Sequence, residues 1–264
     1  MRAARRFVQQ PKPPPPMNPS APVLVQRPSV ALLVSEPFRA TVEFVQHGLA
    51  KSGQVRPGDG HPVVIFPGLG ANGAAVAMLR NHCREQGYDA FDWGQGFNTG
   101  PQGDLDAWLA KLKLQVSALL ARNPKPATLI GWSLGGLYAR ELGKLMAPSL
   151  RQVITVGTPF NADADHTHVG WLFRLLSKTT TAMDPDLSLR LRTPPAVPTT
   201  SVYSKSDGVV AWQTCRHDKP YPLVRDIEVD SSHVGMTWNR EVLSTVSKLL
   251  AQPIRVRRRT ASPA

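Results

Sequence analysis

One nine-residue stretch, Leu129–Ile130–Gly131–Trp132–Ser133–Leu134–Gly135–Gly136–Leu137, limits the possible folds more than any other part of the chain. An apolar run from Ala127 to Ile130 reads as a strand and leads into it. A run from Leu137 to Met146 reads as a helix and leads out. Between them stands Gly-x-Ser-x-Gly. A strand that turns at once into a helix needs a tight backbone, and Gly131 and Gly135, lacking Cβ atoms, let the two elements close on each other. The serine at the apex is expected to have strained backbone angles. Its hydroxyl projects from the C-terminal edge of the strand, at the positive end of the helix. In this order of elements the motif marks an exposed serine nucleophile.

The rest of the chain supplies more strands of the same kind. Val63–Phe66 is a continuous apolar run ending in Pro67–Gly68–Leu69–Gly70, with a helix expected from about Gly73 to Gln86. Tyr88–Trp93, Gln152–Val156, Thr200–Tyr203 and Arg225–Val229 read as further strands, the third running into Ser204–Lys205–Ser206–Asp207–Gly208. Asp104 is placed to cap a helix whose apolar positions Leu105, Trp108, Leu109, Leu112, Val116 and Leu119 recur near every 3.6 residues. Met236–Leu250 reads as the closing helix. Strands alternating with helices predict an α/β fold with a mostly parallel central sheet and helices on both faces.

Residues 1–28, with eight prolines, read as a disordered basic arm, and 29–58 as an N-terminal helix and linker. In that helix, spanning about Glu36 to Ala50, Phe38, Val42, Val45 and Leu49 have helical spacing, expected to pack on the domain or, less simply, to lie at a membrane interface. The main domain is 59–252, followed by a basic tail at 253–264. Within it, 160–198 interrupts the alternation and reads as a small cap, in which the apolar run 169–176 is suited to cover an acyl pocket. The net charge is +12, but nine positive charges sit in residues 1–27 and 255–264, which hold no acid, leaving +3 for the remainder. Such tails suit weak contact with an anionic membrane surface or simply remain solvated; nucleic acid is not an expected partner. No apolar run approaches a membrane span and no secretory signal core is present, so the sequence reads as soluble and cytoplasmic. Cys83 and Cys215 read as two free thiols rather than a disulfide.

A serine needs a base, and the base needs an acid to hold it. Four histidines follow Ser133: His166, His168, His217 and His233. His233 stands just past the last strand, at its C-terminal end, and is the expected base. His217 lies among polar loop residues and reads as a surface group; His166 and His168 belong to the cap. Asp207, directly after a strand and before Gly208, is the expected acid, with Asp230 the next candidate; Asp184 and Asp186 lie in the cap. The backbone N–H groups of Leu134 and Leu69 are the expected oxyanion donors, with Gly70 in reserve. Asn161, Asp163, Asp165, His166 and His168 form a polar cluster that reads as loop-forming rather than as a metal site.

These blocks together (Pro67–Gly68–Leu69–Gly70, Gly131–Trp132–Ser133–Leu134–Gly135–Gly136, Gly157–Thr158–Pro159, Asp207–Gly208–Val209–Val210 and His233) resemble those of the α/β-hydrolase superfamily, and most of all its bacterial lipases and esterases, over about residues 60–252. The resemblance implies hydrolysis of a small-molecule or lipid acyl ester through an acyl-enzyme intermediate without a cofactor or metal. In that reading Ser133 is the nucleophile, His233 the base and Asp207 its orienting acid. Two positions depart from the lipase pattern, in which histidine is common: Pro67 stands before the oxyanion-loop glycine and Trp132 before the serine. A thioesterase or acyltransferase would use the same groups. A non-catalytic binding module of the same fold is the reading from a different class.

Overall fold

The apolar runs assemble into one six-stranded sheet, in a computed structural model that describes residues 25–48, 57–161 and 185–253. The strands are β1 (Pro62–Phe66), β2 (Asp89–Asp92), β3 (Ala127–Trp132), β4 (Leu150–Val156), β5 (Thr199–Tyr203) and β6 (Val224–Glu228). Their order is β2-β1-β3-β4-β5-β6, and every pairing is parallel. The helices are α1 (Val30–Gly48), α2 (Ala77–Glu85), α3 (Leu105–Leu120), α4 (Leu134–Leu145), α5 (Pro185–Arg192) and α6 (Arg240–Leu250).

Successive side chains on a strand point to opposite faces, and here both faces are covered. Val63 and Ile65 pack in one layer with Leu79 and Cys83 of α2 and Val242, Val246 and Leu249 of α6. Val64 and Phe66 pack in the other layer with Leu112 and Val116 of α3, Leu137, Tyr138 and Leu142 of α4 and Leu191 of α5. The four central strands are therefore buried almost throughout, β1 by a continuous apolar run and β5 with Thr199, Thr200 and Ser201 buried beside Val202 and Tyr203. The parallel arrangement brings the C-terminal ends of β1, β3, β4, β5 and β6 to one edge, where their loops meet.

Element ends follow local chemistry. Asp104 caps α3, its side chain accepting from the N–H groups of Asp106 and Ala107 at 3.1 Å. The closing helix starts at Arg240 rather than Met236. Asn239 caps it by accepting from Glu241 and Val242, and the preceding residues Val234–Thr237 form a single 3-10 turn.

The N-terminal helix packs on the domain with the face opposite to the one its apolar spacing suggests. Phe38 is 73% exposed and Val34, Val42 and Val45 also face outward, whereas Glu36 and Ala40 are buried. The reason is that the inner face is made of groups with specific partners. Trp238 Nε1 donates to the Ala40 carbonyl at 3.0 Å, and the carboxylates of Glu36 and Glu43 meet backbone N–H groups of the domain. Among the described residues no helix is long and apolar enough to cross a membrane. Leu49, residues 1–24 of the arm, most of the tail, and the expected cap run 169–176 lie outside the described residues. Of the region 160–198, the described portion includes α5. Its Arg190 pairs with Glu141 of α4 at 2.7 Å, and its Leu191 enters the core.

Candidate active site

Ser133 sits between β3 and α4 with φ 53° and ψ −125°, and among the described residues no other non-glycine residue has positive φ. Such a backbone state costs on the order of 1–3 kcal/mol and persists only where its surroundings enforce it. The enforcement is visible. Its N–H donates to the Val156 carbonyl at 2.9 Å. A Cβ on Gly131 would collide with the backbone of Gly135 and Gly136, and one on Gly135 with the carbonyls of Phe66 and Pro67. The two motif glycines thus permit contacts that no other residue could make. Ser133 itself is only partly buried.

From the far end of the sheet, the loop after β6 delivers His233. Its Nε2 lies 3.1 Å from Ser133 Oγ, and its Nδ1 lies 2.7 Å from Asp207 Oδ2. With the carboxylate accepting at Nδ1, the ring carries its proton there and presents the lone pair of Nε2 to the serine hydroxyl. Asp207 is held in turn: its Oδ1 accepts from the N–H groups of Val209 and Val210 at 2.8 and 2.7 Å. The indole of Trp132 fixes the backbone of the histidine, donating to the His233 carbonyl at 3.1 Å. Burial by itself lowers the pKa of the His233 imidazole, but the charge of Asp207, its hydrogen bond and the charge of Glu36 together outweigh burial and raise it above the ordinary value of 6.5. The arrangement can accept the serine proton and stabilise the resulting imidazolium.

The loop Pro67–Gly70 passes directly over the serine. A Cβ on Gly68 would stand 3.2 Å from Ser133 Cβ, a contact tighter than usual that glycine avoids. Leu134 is the first residue of α4, where N–H groups have no intrahelical partner. The N–H of Gly70 already donates to the Asn98 carbonyl at 2.8 Å, which favours Leu69 over Gly70 as the second oxyanion donor. Asn98 also donates from Nδ2 to the Pro67 carbonyl at 2.8 Å and accepts from the Tyr138 hydroxyl at 3.1 Å, locking this loop to α4.

The other candidates fall elsewhere. His217 is a correction: its imidazole is 2% exposed rather than on the surface, with Nδ1 2.8 Å from Asp226 and Nε2 3.0 Å from the Arg140 guanidinium. It forms a further Asp–His pair, but one that ends on a cation instead of a nucleophile. Asp230 accepts from Ser206 Oγ at 2.7 Å and is exposed, while the acid paired with His233 is Asp207. Asp186 is in the first turn of α5. Asp163, Asp165, His166, His168 and Asp184 lie outside the described residues. Asn161 donates from Nδ2 to the Arg216 carbonyl. Among the described residues, no group of three or more acidic, histidine or cysteine side chains is placed to hold a metal ion. Both cysteines are free and buried.

Sequence reasoning missed three supporting residues. Asn98 was visible only as a polar residue in a glycine-rich loop. Glu36 and Glu43 gave no signal, because acidic residues on an amphipathic helix read as a solvated face. Glu36 Oε1 accepts from the N–H groups of Gly208 at 2.7 Å and His233 at 3.1 Å, and Oε2 from Val234 at 3.3 Å. Glu43 accepts from the Ser232 N–H at 2.7 Å and the Ser231 hydroxyl at 3.0 Å.

Comparison with known proteins agrees with this architecture. A sequence model described as "Alpha/beta hydrolase family" matches residues 63–242. Two curated relatives are pimeloyl-[acyl-carrier protein] methyl ester esterases. The one from Shewanella woodyi is 29% identical over 133 residues, covering 49% of each chain. The one from Aliivibrio fischeri strain MJ11 is 30% identical over 136 residues, covering 50% of each. The chain thus spans about half the length of the curated relatives it matches. Among solved structures, a lipase of Bacillus licheniformis aligns with a TM-score of 0.55 at 17% identity, covering 75% of this chain and 96% of that one. A monoacylglycerol lipase of Paleococcus ferrophilus aligns at 0.54 and 14% identity, covering 74% and 95%. A thioesterase domain from the curacin biosynthetic pathway aligns at 0.51 and 13% identity, covering 74% and 92%. At these identities the structural likeness shows the fold.

Proposed function

The chain belongs to the alpha/beta hydrolase family, and from that premise we propose that it cleaves carboxylic esters through an acyl-enzyme intermediate. Ser133, His233 and Asp207 act as nucleophile, general base and orienting acid. The observation that carries the reading is the unbroken run of contacts from Asp207 through His233 to a serine on a strained turn. Ser133 Oγ attacks the ester carbonyl carbon while its proton passes to His233 Nε2, and the carbonyl electron pair moves onto oxygen. The N–H groups of Leu69 and Leu134 stabilise that oxyanion. Collapse of the tetrahedral centre breaks the ester C–O bond, and the departing alkoxide takes the proton from Nε2. Water then repeats the sequence on the acyl-enzyme and releases the acid and free Ser133.

The names of the curated relatives favour an ester of an acyl group carried on a carrier protein, and the thioesterase among the structural neighbours keeps a thioester as the second reading. The test is hydrolysis of p-nitrophenyl esters of increasing acyl length and of an acyl-pantetheine thioester, with wild type beside Ser133→Ala. Ester turnover lowered on the order of 10⁴-fold or more in the variant is the expected result. Preference for the thioester selects the second reading, and equal activity in the folded variant removes Ser133 from the mechanism.

A further inference from the structure

We infer that Glu36, on a helix outside the family-matched span, is a positioning residue that sets the geometry of the Asp207–His233 pair from behind. This rests on the ester-hydrolase reading above. Its carboxylate is buried, with only 3% of the residue exposed. It bridges the two loops that carry the acid and the base: one oxygen accepts from the N–H of Gly208, directly after Asp207, and from the N–H of His233 itself. The other oxygen accepts from Val234. A buried carboxylate taking three backbone N–H donors fixes the distance between their chains, because each donor loses a strong partner if it moves.

The rest of α1 is built to hold that carboxylate in place. Arg39 pairs with Glu36 at 2.7 Å and donates to the Ser206 carbonyl at 2.5 Å, the residue before Asp207. Glu43, two turns on, secures Ser231 and Ser232 just before His233. The domain is shaped to receive the helix. A Cβ on Gly208 would stand 2.5 Å from the Leu32 carbonyl oxygen, and one on Gly235 would collide with the Glu43 carboxylate. Both loops therefore lie in direct contact with α1 at glycines.

The charged groups that act on the His233 ring are Asp207 from the loop after β5 and Glu36 from α1, while Arg39 and Glu43 of α1 contact the backbone of Ser206 and Ser232 beside them. The charge of Glu36 favours the imidazolium that forms during proton transfer. Glu36→Gln preserves size and one acceptor oxygen but removes the charge and leaves Arg39 uncompensated. Loss of the Glu36 charge disfavours a cationic imidazole, so the pKa of His233 falls. Glu36→Ala removes the bridge altogether, and misplacement of reacting groups on the ångström scale costs roughly 10- to 100-fold in rate.

The experiment has two readouts on the full chain. The first is the titration of the His233 ring by NMR in wild type and Glu36→Gln, which needs no substrate. The second is the pH profile of kcat and KM on the best p-nitrophenyl ester for wild type, Glu36→Gln and Glu36→Ala. The expected result is a His233 midpoint at lower pH in Glu36→Gln, an acidic limb that moves with it, and a 10- to 100-fold loss of kcat with KM nearly constant in Glu36→Ala. An unmoved His233 midpoint in folded Glu36→Gln overturns the inference, as does wild-type kcat in folded Glu36→Ala. If wild type turns over no ester, the functional reading fails by itself, and the NMR titration still decides the role of Glu36.

Discussion

In the ester-hydrolase reading proposed above the chemistry turns on His233, and the environment of that residue predicts how activity responds to pH. A protonated imidazole cannot accept the Ser133 proton, so kcat/KM falls as pH drops through the folded-state pKa of His233. That pKa is raised, and the midpoint of the acidic limb is therefore expected above 6.5 in a pH–rate profile of the wild-type protein. Asp207→Asn removes the largest favourable influence on the imidazolium. Its limb should shift to lower pH, while kcat falls on the order of 10⁴-fold because the amide no longer selects the useful tautomer. A limb left in place in that variant would assign the titration to another group. Ser133, Asp207 and His233 are legible in the chain as candidates because each follows a strand, in a fixed order, and because Ser133 is flanked by two glycines that a tight strand-to-helix turn requires. Glu36 could not. Its partners are backbone N–H groups of residues 208, 233 and 234, and a backbone donor leaves no trace in side-chain identity.

At the scale of elements, α1 shows where periodicity succeeds and where it fails. The spacing of Phe38, Val42 and Val45 identifies a helix, and a helix is present. It does not identify the buried face, because burial here is decided by hydrogen-bonded carboxylates and by Ala40, small enough for Trp238 to reach its carbonyl. The consequence is measurable in urea denaturation. Phe38→Ser, on the outward face, should change stability by no more than about 0.5 kcal/mol. Ala40→Leu, on the packed face, should cost about 1–3 kcal/mol by overfilling the contact. The reverse ranking would invert the assignment of faces. The strands were easier to read, since continuous apolar runs such as Val63–Phe66 have no polar face to misassign. The closing helix starts four residues past Met236, because the turn Val234–Thr237 is helix-like in composition and only the cap at Asn239 marks the true start.

For the molecule as a whole, each face of the sheet has its own core, and each core contains one cysteine: Cys83 in the layer under α2 and α6, Cys215 in the layer under α3 and α4. Burial pushes the Cys83 thiol up to about 12 and the Cys215 thiol well above its ordinary value, so neither is a nucleophile in the native state. Iodoacetamide followed by mass spectrometry should find both unmodified in the folded protein and both modified together as denaturant unfolds it. Modification of one before the other would show the two layers opening separately. The contacts of α1 also bear on biosynthesis. Glu36 and Val234 are separated by 198 positions in the chain. At about 5–20 residues per second, translation places roughly 10–40 s between the two. Until that interval ends the nascent helix lacks the full set of backbone partners it takes from the loops after β5 and β6, and a ribosome stalled before residue 233 carries a chain with its serine already made but without the histidine that contacts it. In the ester-hydrolase reading, the site is therefore complete only once residue 234 has been made, and the serine hydroxyl stays silent until the loops that orient its base have docked on α1.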